Sequence, residues 1–271
     1  MDIEVLKREA SLAIGLVILL LGSMTIATGT YPPMVVVESG SMMHDEDGQI
    51  GAIDPGDLVL VINPERKEIV TFVEATDPLN DNFGYESHGM EGDVIVFRKN
   101  GGSDTPVIHR ALLKAIENDS GGWDVPGTTL LGVQSINWTL DYPCESYHGN
   151  DYDLRIENWV PSHDGYLTTG DNEDSNGCRI DQLSATGQDG RNGLVDENNN
   201  PVTAVKDEWV IGIASTEIPW IGAAKLFFSP PPSASYVTEK TWTMLIFVIA
   251  SILVAPSVVE AFQSRPSTEE E

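Results

Sequence analysis

The sequence predicts a mainly β domain, built as a barrel or as packed antiparallel sheets, between an N-terminal and a C-terminal transmembrane helix. Residues 10–29 and 241–259 carry no charged side chain, and each run is long enough to cross a bilayer as a helix. Between them, short runs rich in β-branched residues alternate with Gly, Pro, Asn and Asp, and no long stretch keeps a helical period.

The first apolar run, residues 10–29, predicts a membrane anchor. Lys7 and Arg8 precede it, and basic residues favour the cytoplasmic side, so we expect residues 1–9 in the cytoplasm. A cleaved signal peptide is the alternative, because it also combines a basic start with an apolar core. The anchor is favoured because the run is longer than a typical signal-peptide core and a Tyr-Pro-Pro sequence follows its small-residue end.

The second apolar run, residues 241–259, predicts another membrane helix. A buried core helix is the alternative, but the run has almost no polar face. Trp220 and Trp242 are expected at the membrane–water interface. Two spans return the acidic tail, 260–271, to the cytoplasm and leave residues 30–239 outside. The sequence therefore predicts a multi-pass protein of the cell membrane with an extracytoplasmic domain.

The outer domain is predicted to be all-β with inserted acidic loops. Six runs are predicted as strands: 34–38, 58–62, 69–73, 93–98, 107–113 and 208–213. Three polar segments are predicted as loops: 74–91, 118–163 in part, and 184–201.

The charge of the chain excludes one class of function. The 42 Asp and Glu residues outnumber the 15 Lys and Arg residues, for a formal net charge of -27. Nucleic-acid binding needs a basic face, so no nucleic-acid partner is expected. Adaptation to salt and a solvated outer surface both explain the acidity. Cys144 and Cys178 allow at most one disulfide.

The acidic loops do not predict a metal site. An EF-hand loop requires an acidic residue at its twelfth position. That position is Leu183 for a loop starting at Asn172 and Asn199 for a loop starting at Gln188. We therefore expect no bound metal.

A series of motifs follows the first apolar run. The motifs are ESGSMM at 38–43, DPGDLVLV at 54–61, GDVIVFR at 92–98, PVIHR at 106–110, YLTTGDN at 166–172, VIG at 210–212 and IPWIG at 218–222. In this order, and just after an N-terminal anchor, the set resembles type I signal peptidases over roughly residues 35–228. The archaeal and endoplasmic-reticulum branch is the more similar one, because His109 stands where the bacterial branch has Lys.

The resemblance implies a serine nucleophile at Ser41 and a general base at His109. A serine hydroxyl is a weak nucleophile until a base takes its proton, and histidine does so near neutral pH. Ser39 matches the position whose hydroxyl helps to bind the oxyanion in the bacterial branch, and the backbone N–H of Ser41 would supply a second donor. The other histidines stand in predicted turns or loops and receive no catalytic role: His44, His88, His148 and His163.

The resemblance also implies an Asp that would complete a Ser-His-Asp triad, and the sequence defines this Asp less well than Ser41 and His109. In the family, a second Asp follows the turn that Gly170-Asp171-Asn172 matches, but six positions beyond Asp171 stands Gly177. Asp181, where the motif would resume after a short insertion, is the preferred candidate, and Asp174 is the alternative. Asp171 is expected to organise the site.

The expected activity is that of a serine endopeptidase that cleaves signal peptides from exported preproteins through an acyl-enzyme. Small residues at positions −3 and −1 of the substrate would direct cleavage, and no cofactor is expected. The expected partners are signal peptides, membrane lipid around the two helices, and the protein-export translocon. Two alternatives stay open: a membrane-tethered β domain without catalysis, and a peptidase of the same clan with another substrate.

Overall fold

The computed structural model describes residues 3–143, 152–176, 179–229 and 233–263. The described residues do not include Cys144, Cys178 or the end of the acidic tail. The one disulfide that the sequence allows therefore also falls outside them.

Two long helices frame the chain, α1 (Ile3–Thr28) and α5 (Glu239–Gln263). By length and composition, Ile3–Thr28 and Glu239–Ser257 can each cross a membrane. Most apolar side chains of these two segments are exposed, and only 0% and 11% of the two apolar windows are buried, which contradicts a buried core helix. Such helices favour association with a membrane, because a bilayer would cover this apolar surface.

Helix α1 begins earlier than the predicted run, residues 10–29. It starts at Ile3 and includes the charged residues before the apolar run. One reason is that Lys7 pairs with Glu4 one turn earlier (3.1 Å), a spacing that supports a helix.

The domain between the helices consists mainly of antiparallel strands, which confirms the predicted β class. The strands are β1 (Met34–Val36), β2 (Leu58–Ile62), β3 (Glu86–Ser87), β4 (Met90–Glu91), β5 (Val94–Phe97), β6 (Val107–Glu117), β7 (Trp123–Asp124), β8 (Ile136–Tyr142), β9 (Tyr152–Trp159), β10 (Gly165–Thr169) and β11 (Val210–Ile218). Short α-helices are α2 (Phe72–Thr76), α3 (Glu173–Asn176) and α4 (Ala223–Phe227). The 3₁₀ turns are Lys99–Gly101, Leu183–Thr186, Gly190–Asn192, Asp207–Trp209 and Ser233–Tyr236.

The main sheet has the strand order β1-β2-β11-β5-β6-β10, with β7 beside β6. Strands β3 and β4 form one separate hairpin, and β8 and β9 form another. The late strand β11 lies between β2 and β5, so the polypeptide before α5 is tied to the centre of the sheet. The hairpin β8–β9 and helix α2 contribute to the largest core cluster together with β6 and β10.

Two predictions about individual elements are wrong. The run 69–73 is not a strand, because Thr71 caps α2: its hydroxyl accepts from the N–H of Glu74, whose carboxylate accepts from the N–H of Thr71. The segment 74–91, predicted as a loop, contains the hairpin β3–β4. The segment 118–163 was predicted as loop only in part, and its strands β7, β8 and β9 were not predicted. Polar residues in this segment alternate with buried apolar ones over part of the hairpin, as at Leu140 and Tyr142 of β8 and at Leu154 and Ile156 of β9.

Candidate active site

Ser41 lies in the loop between β1 and β2 and is held there by its neighbour. The next side chain, Met42, is 1% exposed and packs in a core cluster with Val37 and Ile53. Ser41 itself is half-buried and Ser39 is exposed. The loop is therefore anchored in the core while its hydroxyl groups stay near the surface.

His109 links Ser41 to a carboxylate. It lies on β6, opposite Ile95 of β5, and is 6% exposed. Its Nε2 is 3.0 Å from Oγ of Ser41, and its Nδ1 is 2.7 Å from Oδ2 of Asp181. A serine, an imidazole and a carboxylate in this order can activate the hydroxyl as a nucleophile.

Asp181 is fixed by the end of strand β10. Its N–H donates to the carbonyl of Thr168 (2.8 Å), and the Thr168 hydroxyl donates to its Oδ2 (2.6 Å). The amide of Gln182 bonds both the N–H and the hydroxyl of Thr168. The carboxylate beside His109 is therefore held by a defined set of hydrogen bonds.

Asp174, the alternative acidic residue, is placed differently. It lies in the short helix α3 with an exposed side chain, and its N–H donates to Oδ1 of Asn172. In the described part of the chain, the carboxylate that bonds His109 belongs to Asp181.

Asp171 does not touch His109 but forms the centre of a second, fully buried cluster. Arg110 donates to its carboxylate through Nε and Nη2 (3.0 and 2.6 Å), and Tyr142 donates from its hydroxyl (2.6 Å). Nε2 of His44 is 2.9 Å from Oδ2. Burial alone would raise the pKa of Asp171, but the Arg110 guanidinium and the bonded His44 hold it well below its usual value.

Arg110 connects this cluster to the hairpin β3–β4. Its Nη1 donates to the carbonyls of Ser87 (2.9 Å) and Gly92 (2.7 Å), and also to those of Met90 and Glu91. Consecutive strand residues point to opposite faces, so neighbouring His109 and Arg110 serve two different clusters.

The turn after β10 holds the backbone of the nucleophile loop. The side-chain amide of Asn172 donates to the carbonyl of Gly40 (2.6 Å), and its N–H donates to the carbonyl of Ser41 (3.0 Å). Oγ of Ser39 is 3.3 Å from Oγ of Ser41. Asn172 therefore holds the peptide unit that contains the N–H of Ser41, and the hydroxyl of Ser39 lies beside that of Ser41.

The loop between β1 and β2, which carries Ser41, ends with two buried carboxylates, those of Asp54 and Asp57. Oδ2 of Asp54 accepts from the N–H of Gln49 (2.6 Å), and Oδ1 of Asp57 accepts from the N–H of Trp220 (2.9 Å). Burial raises the pKa of Asp54 to about 7 and that of Asp57 to about 6. Lys240 of α5 donates to the carbonyl of Gly48 in this loop (2.7 Å), so helix α5 contacts the loop directly.

Among the described residues, the other histidines take no part in the hydrogen-bond chain of Ser41, His109 and Asp181. His88 is buried, with φ of 53°, and burial lowers its pKa. His163 is half-buried and bonds the Asp164 carbonyl. His148 lies outside the described residues. No group of three or more His, Cys, Asp or Glu side chains among the described residues is arranged to hold a metal.

Several residues of the site were missed by the sequence analysis. They are His44, Arg110, Tyr142, Thr168 and Asn172. Arg110 stands in the motif PVIHR, and Thr168 and Asn172 stand in the motif YLTTGDN. Their place in these motifs was the signal that could have identified them. Nothing local in the sequence points to His44 or Tyr142, because their contacts to Asp171 span 127 and 29 residues. Comparisons of the chain with protein-family models, with curated proteins and with solved structures gave no match.

Proposed function

We propose that this chain is a membrane-anchored serine endopeptidase that removes N-terminal signal peptides from exported preproteins. The observation that supports this most strongly is the pair of hydrogen bonds from Ser41 through His109 to Asp181, at 3.0 and 2.7 Å. The resemblance of the ordered motifs to type I signal peptidases supplies the substrate class.

The proposed reaction uses only side chains of the site. Oγ of Ser41 attacks the scissile carbonyl while Nε2 of His109 takes its proton, and Asp181 stabilises the imidazolium that forms. The hydroxyl of Ser39 and the N–H of Ser41 donate to the oxyanion. His109 then protonates the leaving amine, and water hydrolyses the acyl-enzyme by the reverse sequence of proton transfers.

The position of Ser41 suits a substrate that emerges from a membrane. Ser41 stands 12 positions after Gly29, and helix α1 ends at Thr28. A signal peptide is cut just after its apolar core, close to the membrane surface.

An edge strand is available beside the nucleophile loop. Strand β1 (Met34–Val36) is at one end of the main sheet and leads into the loop that carries Ser41. An edge strand can accept an extended peptide as an added strand, and small side chains at −3 and −1 would then lie in shallow pockets.

The proposed location is the cell membrane, with two spans and the catalytic domain on the extracytoplasmic side. Residues 1–9 and 260–271 would be cytoplasmic, and the protein-export translocon is the expected neighbour, because it delivers the substrates. The two exposed apolar helices support association with a membrane, and the basic residues Lys7 and Arg8 are the ground for the proposed orientation.

The test is cleavage of a preprotein by the purified full-length chain in detergent. We expect Ser41→Ala to lower the rate at least about 10³-fold, whereas the exposed Ser103→Ala, a matched control, keeps it. Melting temperatures of the variants control for folding. Activity of Ser41→Ala near that of the wild type would refute the assignment. Sequencing the new N-terminus of the product separates a signal peptidase from a peptidase with another specificity, and a wild type without activity would favour a non-catalytic domain.

A further inference from the structure

The site contains two Asp–His pairs, and only one includes the general base. His109 bonds Asp181, while His44 bonds Asp171 at 2.9 Å with a side chain only 7% exposed. His44 follows Ser41 by three positions in the same loop. Its ring also packs on Gly89: a Cβ placed there would lie 3.0 Å from Nδ1.

The partners of Asp171 determine which nitrogen of His44 carries a proton. Arg110 and Tyr142 donate to this carboxylate, and Arg110 keeps it ionised, so it can only accept hydrogen bonds. Nε2 of His44 must therefore be the donor. The ring is a hydrogen-bond donor to Asp171 in both its neutral and its protonated form.

This bond holds the nucleophile loop three residues after Ser41, beyond the two residues that Asn172 contacts. Asn172 bonds the carbonyls of Gly40 and Ser41, and His44 ties the chain after Ser41 to the neighbouring Asp171. The backbone N–H of Ser41, a proposed oxyanion donor, lies in the segment that these contacts hold.

We propose that His44 is a positioning residue of the proposed peptidase, acting through its Nε2–H bond to Asp171 to fix the Ser41 backbone. This inference rests on the proposed function. A donor aimed at the developing oxyanion acts mainly in the transition state, so its displacement lowers kcat and changes KM little. Because loss of a whole donor costs about 10²–10³ in kcat, displacement should cost about 10- to 100-fold.

The test compares His44→Gln with His44→Met. These replacement side chains have similar length, and only Gln retains an N–H that can reach Asp171. We expect kcat of His44→Gln within about threefold of the wild type and kcat of His44→Met lowered about 10- to 100-fold. KM should change less than about twofold in both variants. The rising limb of the pH profile of kcat/KM should stay in place, because His109 and Asp181 are untouched.

A long-range ¹H–¹⁵N spectrum of the wild type tests the hydrogen bond without any substitution. We expect a protonated Nε2 on His44, assigned by its loss in His44→Gln. An unprotonated Nε2, full activity of His44→Met, or equal loss in both variants would overturn the inference even if one variant is less stable. The proposed function fails separately, when the wild type itself does not cleave or Ser41→Ala remains active.

Discussion

Asp181→Asn removes a charge from the group that contacts His109 while keeping its volume. The structure indicates how the new amide will orient. Oδ2 of Asp181 receives both the Nδ1–H of His109 and the hydroxyl of Thr168. The Thr168 hydroxyl already accepts from Gln182, so it keeps its own proton for donation. An oxygen is therefore favoured at this position, and the NH₂ group of Asn falls at the position of Oδ1.

This orientation sets the size of the effect. With its oxygen toward His109, the Asn retains the correct tautomer and loses only the charge that stabilises the imidazolium. Two unit charges about 4 Å apart interact by about 4 kcal/mol at an effective dielectric constant of about 20. We therefore expect kcat to fall about 10³-fold, since each tenfold step corresponds to about 1.4 kcal/mol.

The double variant Asp181→Asn with Thr168→Val tests the orientation itself. Without the hydroxyl, the amide can turn its NH₂ toward Nδ1 and impose the wrong tautomer on His109. In a well-studied Ser-His-Asp protease the Asn variant costs about 10⁴-fold, and the double variant should approach that loss. Thr168→Val alone should cost much less, because the carboxylate remains.

The assay is kcat on a preprotein at matched folding, with Asp174→Asn as the control. Asp174 is exposed, so its variant should keep nearly wild-type activity. An inactive Asp174→Asn beside a nearly wild-type Asp181→Asn would refute the reasoning, and the triad would then be Ser41, His109 and Asp174.

Three further predictions concern other groups. His109→Lys should not restore cleavage of a preprotein at neutral pH, because Asp181 would keep the ammonium charged. Asp171→Asn should lower the melting temperature by about 10 °C, since it leaves Arg110 buried without its counter-charge, at a cost of about 3–5 kcal/mol. The pKa of Asp54 rises from 3.8 to about 7 on folding, so the folded state binds the proton more tightly and stability falls as pH rises through this window. Asp54→Asn should reduce the difference in melting temperature between pH 5 and pH 8; an unchanged difference would contradict the assigned pKa.

The sequence was sufficient for features that depend on local patterns. Uncharged runs predicted the two long helices, and β-branched runs predicted most strands of the main sheet, with β2 at its observed bounds of Leu58–Ile62. The structure also brings Ser41, His109 and Asp181 together, as the ordered motifs suggested. Their catalytic roles remain predictions.

The features that the sequence did not predict depend on distant contacts. Strands β8 and β9 could not be predicted locally, because their apolar residues are explained only by packing against β6 and β10. Tyr142, at the end of β8, then delivers its hydroxyl to Asp171. His44 stands among acidic residues and resembles a surface histidine until Asp171 and Gly89 are placed around it.

The buried pair of Arg110 and Asp171 is better explained by positioning than by stability. Both side chains are 0% exposed, and removing two charges from water costs about as much as their attraction returns. Apolar residues of similar volume would stabilise the core as well, but they would not bond the β3–β4 carbonyls or His44. Asn172, the neighbour of Asp171, bonds the carbonyls of Gly40 and Ser41, so we expect the charged pair to help hold the nucleophile loop with Ser41 beside His109.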